Sequence, residues 1–333
     1  RPDPRLRGKP RMTDVAMIRA AADRLRGHVR ETPLLHAPLL DQIAGRQVLV
    51  KAECLQITGS FKARGGWAAV SALSEDARHR GVIAFSSGNH AQGVAYAAAR
   101  HGAPCVILMP SDAPQVKVAN TRAYGAEVVL YDRATEDRDA IGAAIAADRG
   151  LTLIRPYDDP QVIAGQGTTG LEIAAQAAAA GVTAAEVLVC CGGGGLASGI
   201  ALALAAKAPG LTVRTVEPQG FDDMARSLAG GERHRNTAAT GSICDAILTP
   251  TPGDLTLPIL RRLAGTGLVV TDDQALHAVA LAFAHLRIVL EPGGAVSLAA
   301  ALFAPGLPDT VIVVATGGNV DPDVFATALR RFA

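Results

Sequence analysis

Short apolar, β-branched runs alternate with Ala-rich stretches through most of the chain. Runs at 47–50, 81–85, 105–109, 127–131, 186–190, 212–216 and 310–315 have the length and residue types of strands. Between them, 91–100, 140–148 and 199–207 carry the spacing of helices. Strand–helix alternation at this interval predicts an α/β fold with mostly parallel sheets flanked by helices. The stretch 187–206 is uncharged and about as long as a membrane span. It contains four consecutive glycines and lies between Glu186 and Lys207. A strand, a tight turn and a helix fit it better, because such a turn would leave backbone groups unpaired in lipid.

Composition narrows the picture. The 333 residues are long enough for two domains; 49% are apolar and 19% charged, which excludes a disordered polyelectrolyte. With a net charge of +1 and no basic block interleaved with aromatics, neither nucleic acid nor a membrane surface is an expected partner. The five cysteines show no CxxC or Cys/His ligand spacing, which points to a reduced, cytoplasmic protein. Residues 1–11 are basic and Pro-rich with no apolar core behind them, so they read as an extension ahead of Met12 and not as a signal peptide.

Ligands of open α/β sheets gather at the carboxyl ends of strands, and four loops there are rich in small and polar residues. Gly192, Gly193, Gly194 and Gly195 follow a strand and open a helix, where bare backbone N–H groups attract an anion. No Gly-Lys-Ser/Thr follows, so this is not a Walker loop. Glu217, at the end of the next strand, keeps a nicotinamide-dependent oxidoreductase open as an alternative. Only five lysines occur, and Lys62 alone follows a Thr-Gly-Ser turn at the head of a helix, 61–73. That placement suits a Schiff-base lysine, which needs a lowered pKa; a plain surface lysine is the bland alternative. Lys51 reads as a strand residue, and Lys117 and Lys207 as residues of polar helix faces.

The loop Ser86, Ser87, Gly88, Asn89, His90 offers hydroxyls, an amide and an imidazole that can hold a carboxylate, or simply a capped turn. Thr316 ends the most apolar strand ahead of two glycines, placed to meet a ring nitrogen or to cap the turn. Glu217, Asp222 and Asp223 fall within seven residues, compatible with a hard cation or with solvated acids. Arg138 sits in a charged segment that reads as surface.

Taken in order, Thr58-Gly59-Ser60-Phe61-Lys62-Ala63-Arg64-Gly65, Ser87-Gly88-Asn89-His90-Ala91-Gln92-Gly93, Ala164-Gly165-Gln166-Gly167-Thr168, the glycine loop, Glu291-Pro292 and Thr316-Gly317-Gly318-Asn319 resemble the fold-type II pyridoxal-phosphate enzymes. The likeness is to serine/threonine dehydratases and serine racemases, with features also similar to 3-hydroxyaspartate dehydratases. It implies a tryptophan synthase β-like fold of two domains. The large, cofactor-binding domain would comprise 12–80 and 158–333, and the small, substrate-side domain 81–157.

The resemblance also implies roles. Lys62 carries pyridoxal 5'-phosphate and serves as base at Cα; Phe61 packs near the ring; Asn89 bonds its 3-oxygen; Thr316 faces its nitrogen; the four glycines hold its phosphate. Ser86, Ser87, Gly88, Asn89 and His90 bind the substrate carboxylate, and Ser87 protonates the second face of Cα. Glu217, the Phe221 backbone and Asp223 match a site for Mg²⁺ or Ca²⁺. Arg138 and Tyr124 match positions near the substrate pocket, where Arg138 meets an anionic side chain. The implied activity is α,β-elimination from serine, threonine or 3-hydroxyaspartate to a 2-oxo acid and ammonium, by a homodimer. Serine racemase with a side dehydratase activity is the alternative.

Overall fold

The computed structural model describes residues 12–332 apart from Ser87, Pro114, Arg133 and the side chain of Val116. Ten strands are present among the described residues: β1 (Leu34–His36), β2 (Gln47–Ala52), β3 (Val82–Phe85), β4 (Cys105–Pro110), β5 (Glu127–Tyr131), β6 (Thr152–Leu153), β7 (Ala185–Cys190), β8 (Leu211–Pro218), β9 (Leu268–Val270) and β10 (Thr310–Ala315). All seven strands expected from the pattern form. The short strands β1, β6 and β9 carry too few residues to show a period. The strands build two sheets, in the orders β1-β2-β10-β7-β8-β9 and β5-β4-β3-β6. Every pairing is parallel except β1 with β2, at an edge. β10 and β7 are buried almost throughout, because helices cover both faces. The uncharged stretch after Glu186 is strand, turn and helix, and no described helix is long and apolar enough to cross a membrane.

The two sheets share a core. Trp67, Val94, Ile107 and Val162 belong to one apolar cluster that draws on elements around both. At its centre the helices Lys62–Ser71 and Asn89–Arg100 touch through their backbones. A Cβ on Gly66 would lie 2.6 Å from the Gly93 carbonyl oxygen, and one on Gly93 2.6 Å from that of Lys62. The long helix Pro160–Ala179 is gripped alike: a Cβ on Gly165 would meet the Arg64 carbonyl at 2.5 Å. The run Ala164-Gly165-Gln166-Gly167-Thr168 therefore lies inside a helix as a packing seam and not in a binding loop.

Beneath the Lys62 helix lies a buried ionic group. Arg64 donates to Glu53 at 2.8 Å and to Glu172 at 2.6 Å, while Lys51 meets the other oxygen of Glu172 at 2.5 Å. Two cations against two carboxylates leave no uncompensated charge, the condition under which burial is tolerable. Trp67, the only tryptophan, stacks on His28 at 4.3 Å and donates to the Arg24 carbonyl.

Gly93→Ala is expected to push these helices apart at a cost of roughly 1–3 kcal/mol. Thermal unfolding reads the effect, and an unchanged midpoint means that the seam has room.

Candidate active site

Because β2, β10 and β7 are neighbours, the loops that leave their carboxyl ends meet. Ser60 bridges to Gly317, the Phe61 N–H donates to the Thr316 carbonyl at 3.1 Å, and the Gly318 N–H donates to Gly59 at 2.9 Å. Thr58 takes a left-handed φ of 69°, unusual for a β-branched residue, and the Asn319 amide holds its carbonyl at 2.8 Å. The bend aims the head of the Lys62 helix into a cavity of about 160 Å³.

In that cavity the Lys62 Nζ donates to the Pro156 carbonyl at 2.7 Å and lies 5.1 Å from the centre of the Phe61 ring. Burial pushes its pKa down to about 8, with no carboxylate pulling it back up. Gly192, Gly193, Gly194 and Gly195 face it. Gly194 has φ +91° and precedes the helix Gly195–Lys207, whose first N–H groups have no intrahelical partner. The Tyr157 ring lies so close against the loop that a Cβ on Gly193 would collide with it. Thr249 lines the same wall and its buried hydroxyl has no partner. A nucleophilic amine, bare N–H groups and an orphaned hydroxyl in one cavity fit a small group that carries both an aldehyde and a phosphate.

Asn89 starts its helix at the cavity edge. Its Nδ2 donates to Glu291 at 2.6 Å and its Oδ1 accepts from Asn319 at 2.7 Å, which fixes the amide in one orientation with a second Nδ2 hydrogen to spare. Thr316, 4% exposed, closes the floor beside Cys190. Ser86 and Gly88 line the rim, the Ser86 hydroxyl accepting from the Gly88 N–H at 3.2 Å. His90 differs from expectation. Its Nε2–H donates to the Ile154 carbonyl at 2.9 Å, and burial with Lys62 nearby pushes its pKa down to about 3. The ring is neutral with its one N–H committed, so it has no donor left for a carboxylate and only the His90 backbone can donate to one. Ser87 lies outside the described residues.

Other expected residues fall elsewhere. Arg138 lines a neighbouring cavity of about 720 Å³, paired with Asp139 at 3.1 Å and over the Phe85 ring at 5.6 Å. Tyr124 packs edge-on to Tyr96 and lines neither cavity, but shares a surface pocket with Thr58, Gly59 and Asn319. Glu217 is buried and accepts from the N–H groups of Met224 (2.9 Å) and Ala225 (2.7 Å), capping the helix Asp223–Gly230. It does not line the cavity with the glycine loop, so it is not placed to hold a ribose there. Asp223 accepts from Asn236 at 2.6 Å, but its buried Oδ2 has no partner. Burial and Asp223 drive the Glu217 pKa well above the usual range, so a cation at the orphaned oxygen would relieve two crowded carboxylates. Phe221 is buried beside them in the chain.

Sequence reasoning missed several residues. Lys117 is not on an idle polar face: it lines the cavity and pairs with Asp245 at 3.0 Å. Tyr157 and Thr249 come from loops without a motif, and Glu291 was seen without a task.

The comparisons agree with this geometry. Residues 25–317 match the family model described as "Pyridoxal-phosphate dependent enzyme". An L-threo-3-hydroxyaspartate ammonia-lyase from Pseudomonas sp is 43% identical over 93% of this chain and 96% of its own. A serine racemase from Oryza sativa subsp. indica is 36% identical over 96% and 94%. The solved T.th. threonine deaminase superposes with a TM-score of 0.87 at 44% identity, covering 92% of this chain and 99% of that one.

Glu291 gives a pH test. Burial raises its pKa from 4.5 to about 7, against the pull of the Asn89 hydrogen bond. The folded form thus binds the proton more tightly than the unfolded chain, and stability falls as pH rises from 4.5 to about 7. Glu291→Gln keeps an acceptor for Asn89 and removes the titration. Its thermal midpoint should exceed wild type at pH 8, with the gap closing toward pH 5; parallel midpoints across that range would place the proton elsewhere.

Proposed function

The chain belongs to the pyridoxal-phosphate-dependent enzyme family, and on that footing we propose that it eliminates water from a small 3-hydroxy amino acid, 3-hydroxyaspartate above all, to give a 2-oxo acid and ammonium. The observation that carries this reading is the Lys62 amine, lowered to about 8 by burial, on the Pro156 carbonyl opposite the glycine loop.

Pyridoxal phosphate, when bound, supplies the electron sink that makes the Cα proton and the β-hydroxyl labile. Lys62 would hold it covalently; the N–H groups of Gly192, Gly193, Gly194 and Gly195 would hold its phosphate. The spare Nδ2 hydrogen of Asn89, the Thr316 hydroxyl and the Phe61 ring are disposed around the ring's place. With a pKa of about 8, Lys62 is partly neutral at physiological pH and can take the Cα proton. The backbone at the head of the Asn89 helix, from Gly88 to His90, binds the substrate carboxylate. Ser87 is assigned proton exchange on the second face of Cα on the resemblance alone. The preference for the diacid rests on the Pseudomonas relative and on the arginines of the second cavity, Arg138 among them. The two-domain division at 81 and 157 follows the four-stranded sheet, which lies wholly between those positions. A homodimer is proposed on the resemblance. A cytoplasmic place is supported by five cysteines that are all free and buried.

Borohydride treatment of the holoenzyme should fix the cofactor's mass to wild type and not to Lys62→Ala, with thermal unfolding confirming that the variant folds. A cofactor adduct on the variant removes Lys62 from this role.

Glu217, the Phe221 carbonyl and Asp223 are proposed to hold Mg²⁺ or Ca²⁺, hard ions suited to oxygen donors, with waters completing the shell. Added Mg²⁺ should raise the thermal midpoint and chelator should lower it. Asp223→Asn should abolish both responses. A midpoint indifferent to cation and chelator leaves Glu217 as a helix cap and Asp223 as the partner of Asn236.

A further inference from the structure

The second cavity is lined by three arginines, and two are engaged. Arg138 pairs with Asp139 at 3.1 Å, and Arg233 with Asp254 at 2.5 Å. Arg155, at the solvent-exposed side of the cavity, has no hydrogen bond, ion pair or ring contact among the described residues. The main chain on either side of it is nevertheless held. The carbonyl before it, of Ile154, takes the His90 ring N–H at 2.9 Å, and the carbonyl after it, of Pro156, takes the Lys62 amine at 2.7 Å. One residue further, the Tyr157 ring lies on Gly193 of the glycine loop.

Pro156, Tyr157 and Thr249 line both cavities, so the second opens beside the wall that carries the Lys62 contact. The charges of Arg138 and Arg155 both act on the Tyr157 phenol, which stands at this shared wall. A substrate with its amine toward Lys62 and its carboxylate at the Asn89 helix must send its side chain somewhere. The cavity past Tyr157, about 720 Å³, has room for it. Of the acids there, Asp139 and Asp254 already pair with arginines, and Asp158 accepts from the Leu255 N–H at 2.8 Å.

We propose that Arg155 receives the second carboxylate of a dianionic 3-hydroxy amino acid. The inference rests on the substrate reading given above and names the group that enforces it. A planar guanidinium takes a carboxylate through two parallel N–H bonds, which lysine cannot reproduce. Arg155 can do so without giving up a partner, whereas Arg138 would have to leave Asp139. Serine and threonine offer no anion at that place and gain nothing from it.

The experiment compares kcat/KM for 3-hydroxyaspartate and serine in holoenzyme of wild type, Arg155→Leu, Arg155→Lys and Arg138→Ala, with thermal midpoints as folding controls. Wild type should favour the diacid. Arg155→Leu should lower the diacid-to-serine ratio roughly ten- to a hundredfold, mainly through KM. Arg155→Lys should recover only part of the ratio, and Arg138→Ala should change it less than Arg155→Leu does. If wild type favours the diacid and Arg155→Leu keeps the ratio, or loses both substrates equally, the Arg155 assignment falls while the substrate reading stands. A loss confined to Arg138→Ala also overturns it, in favour of Arg138. If wild type favours serine, the substrate reading itself fails, and the assignment with it.

Discussion

The structure depends on a contact between two backbones. Gly66 and Gly93 let the Lys62 and Asn89 helices approach until the carbonyl of Lys62 itself lies against Gly93. One helix comes from the chain before the four-stranded sheet and the other from within it, so this seam joins the two sheets. It also sets the spacing between an amine and an amide at the two helix heads. Any side chain at either glycine would have to move main chain and not a flexible neighbour, which makes the seam a geometric constant of the site.

Electrostatics secures the same helix from below. Arg64 faces away from the cavity into Glu53 and Glu172, two positions after Lys62, while Lys62 faces Pro156 with no acid beside it. The strongly paired cation and the unpaired one thus lie on opposite sides of one helical turn. Pairing keeps Arg64 charged; its lack at Lys62 lets burial lower the amine toward neutrality. The arrangement distributes structure and chemistry between adjacent basic residues.

Much of this was legible in the chain. Seven strands announced themselves by β-branched runs, and the loops at their ends were recognisable because only small and polar residues fit where strands yield to helices. Lys62 stood out by the scarcity of lysine. The glycines were harder to sort: those at 192–195 open a cradle, but Gly66, Gly93 and Gly165 serve close helix contacts, and sequence gives both the same letter. His90 looked available because its acceptor, the Ile154 carbonyl, belongs to a strand region 64 residues away. Arg155 and Tyr157 escaped notice for a related reason. Their loop has no composition of its own, and its significance comes from what it touches on three other segments.

The strand order carries a consequence for how the molecule is made. β10 is the last strand among the described residues, yet it lies between β2 and β7 and is hydrogen-bonded to both. During synthesis β2, paired with β1 on one side, waits through residues 53–309 before its parallel neighbour exists. Until then its edge, and that of β7, expose unpaired backbone and apolar surface, the features that recruit chaperones and invite aggregation. The Ser60–Gly317 bridge closes in the same late event. Until β10 is in place the Lys62 loop lacks its contacts with Thr316 and Gly317, so the cofactor pocket closes only when β10 joins the sheet.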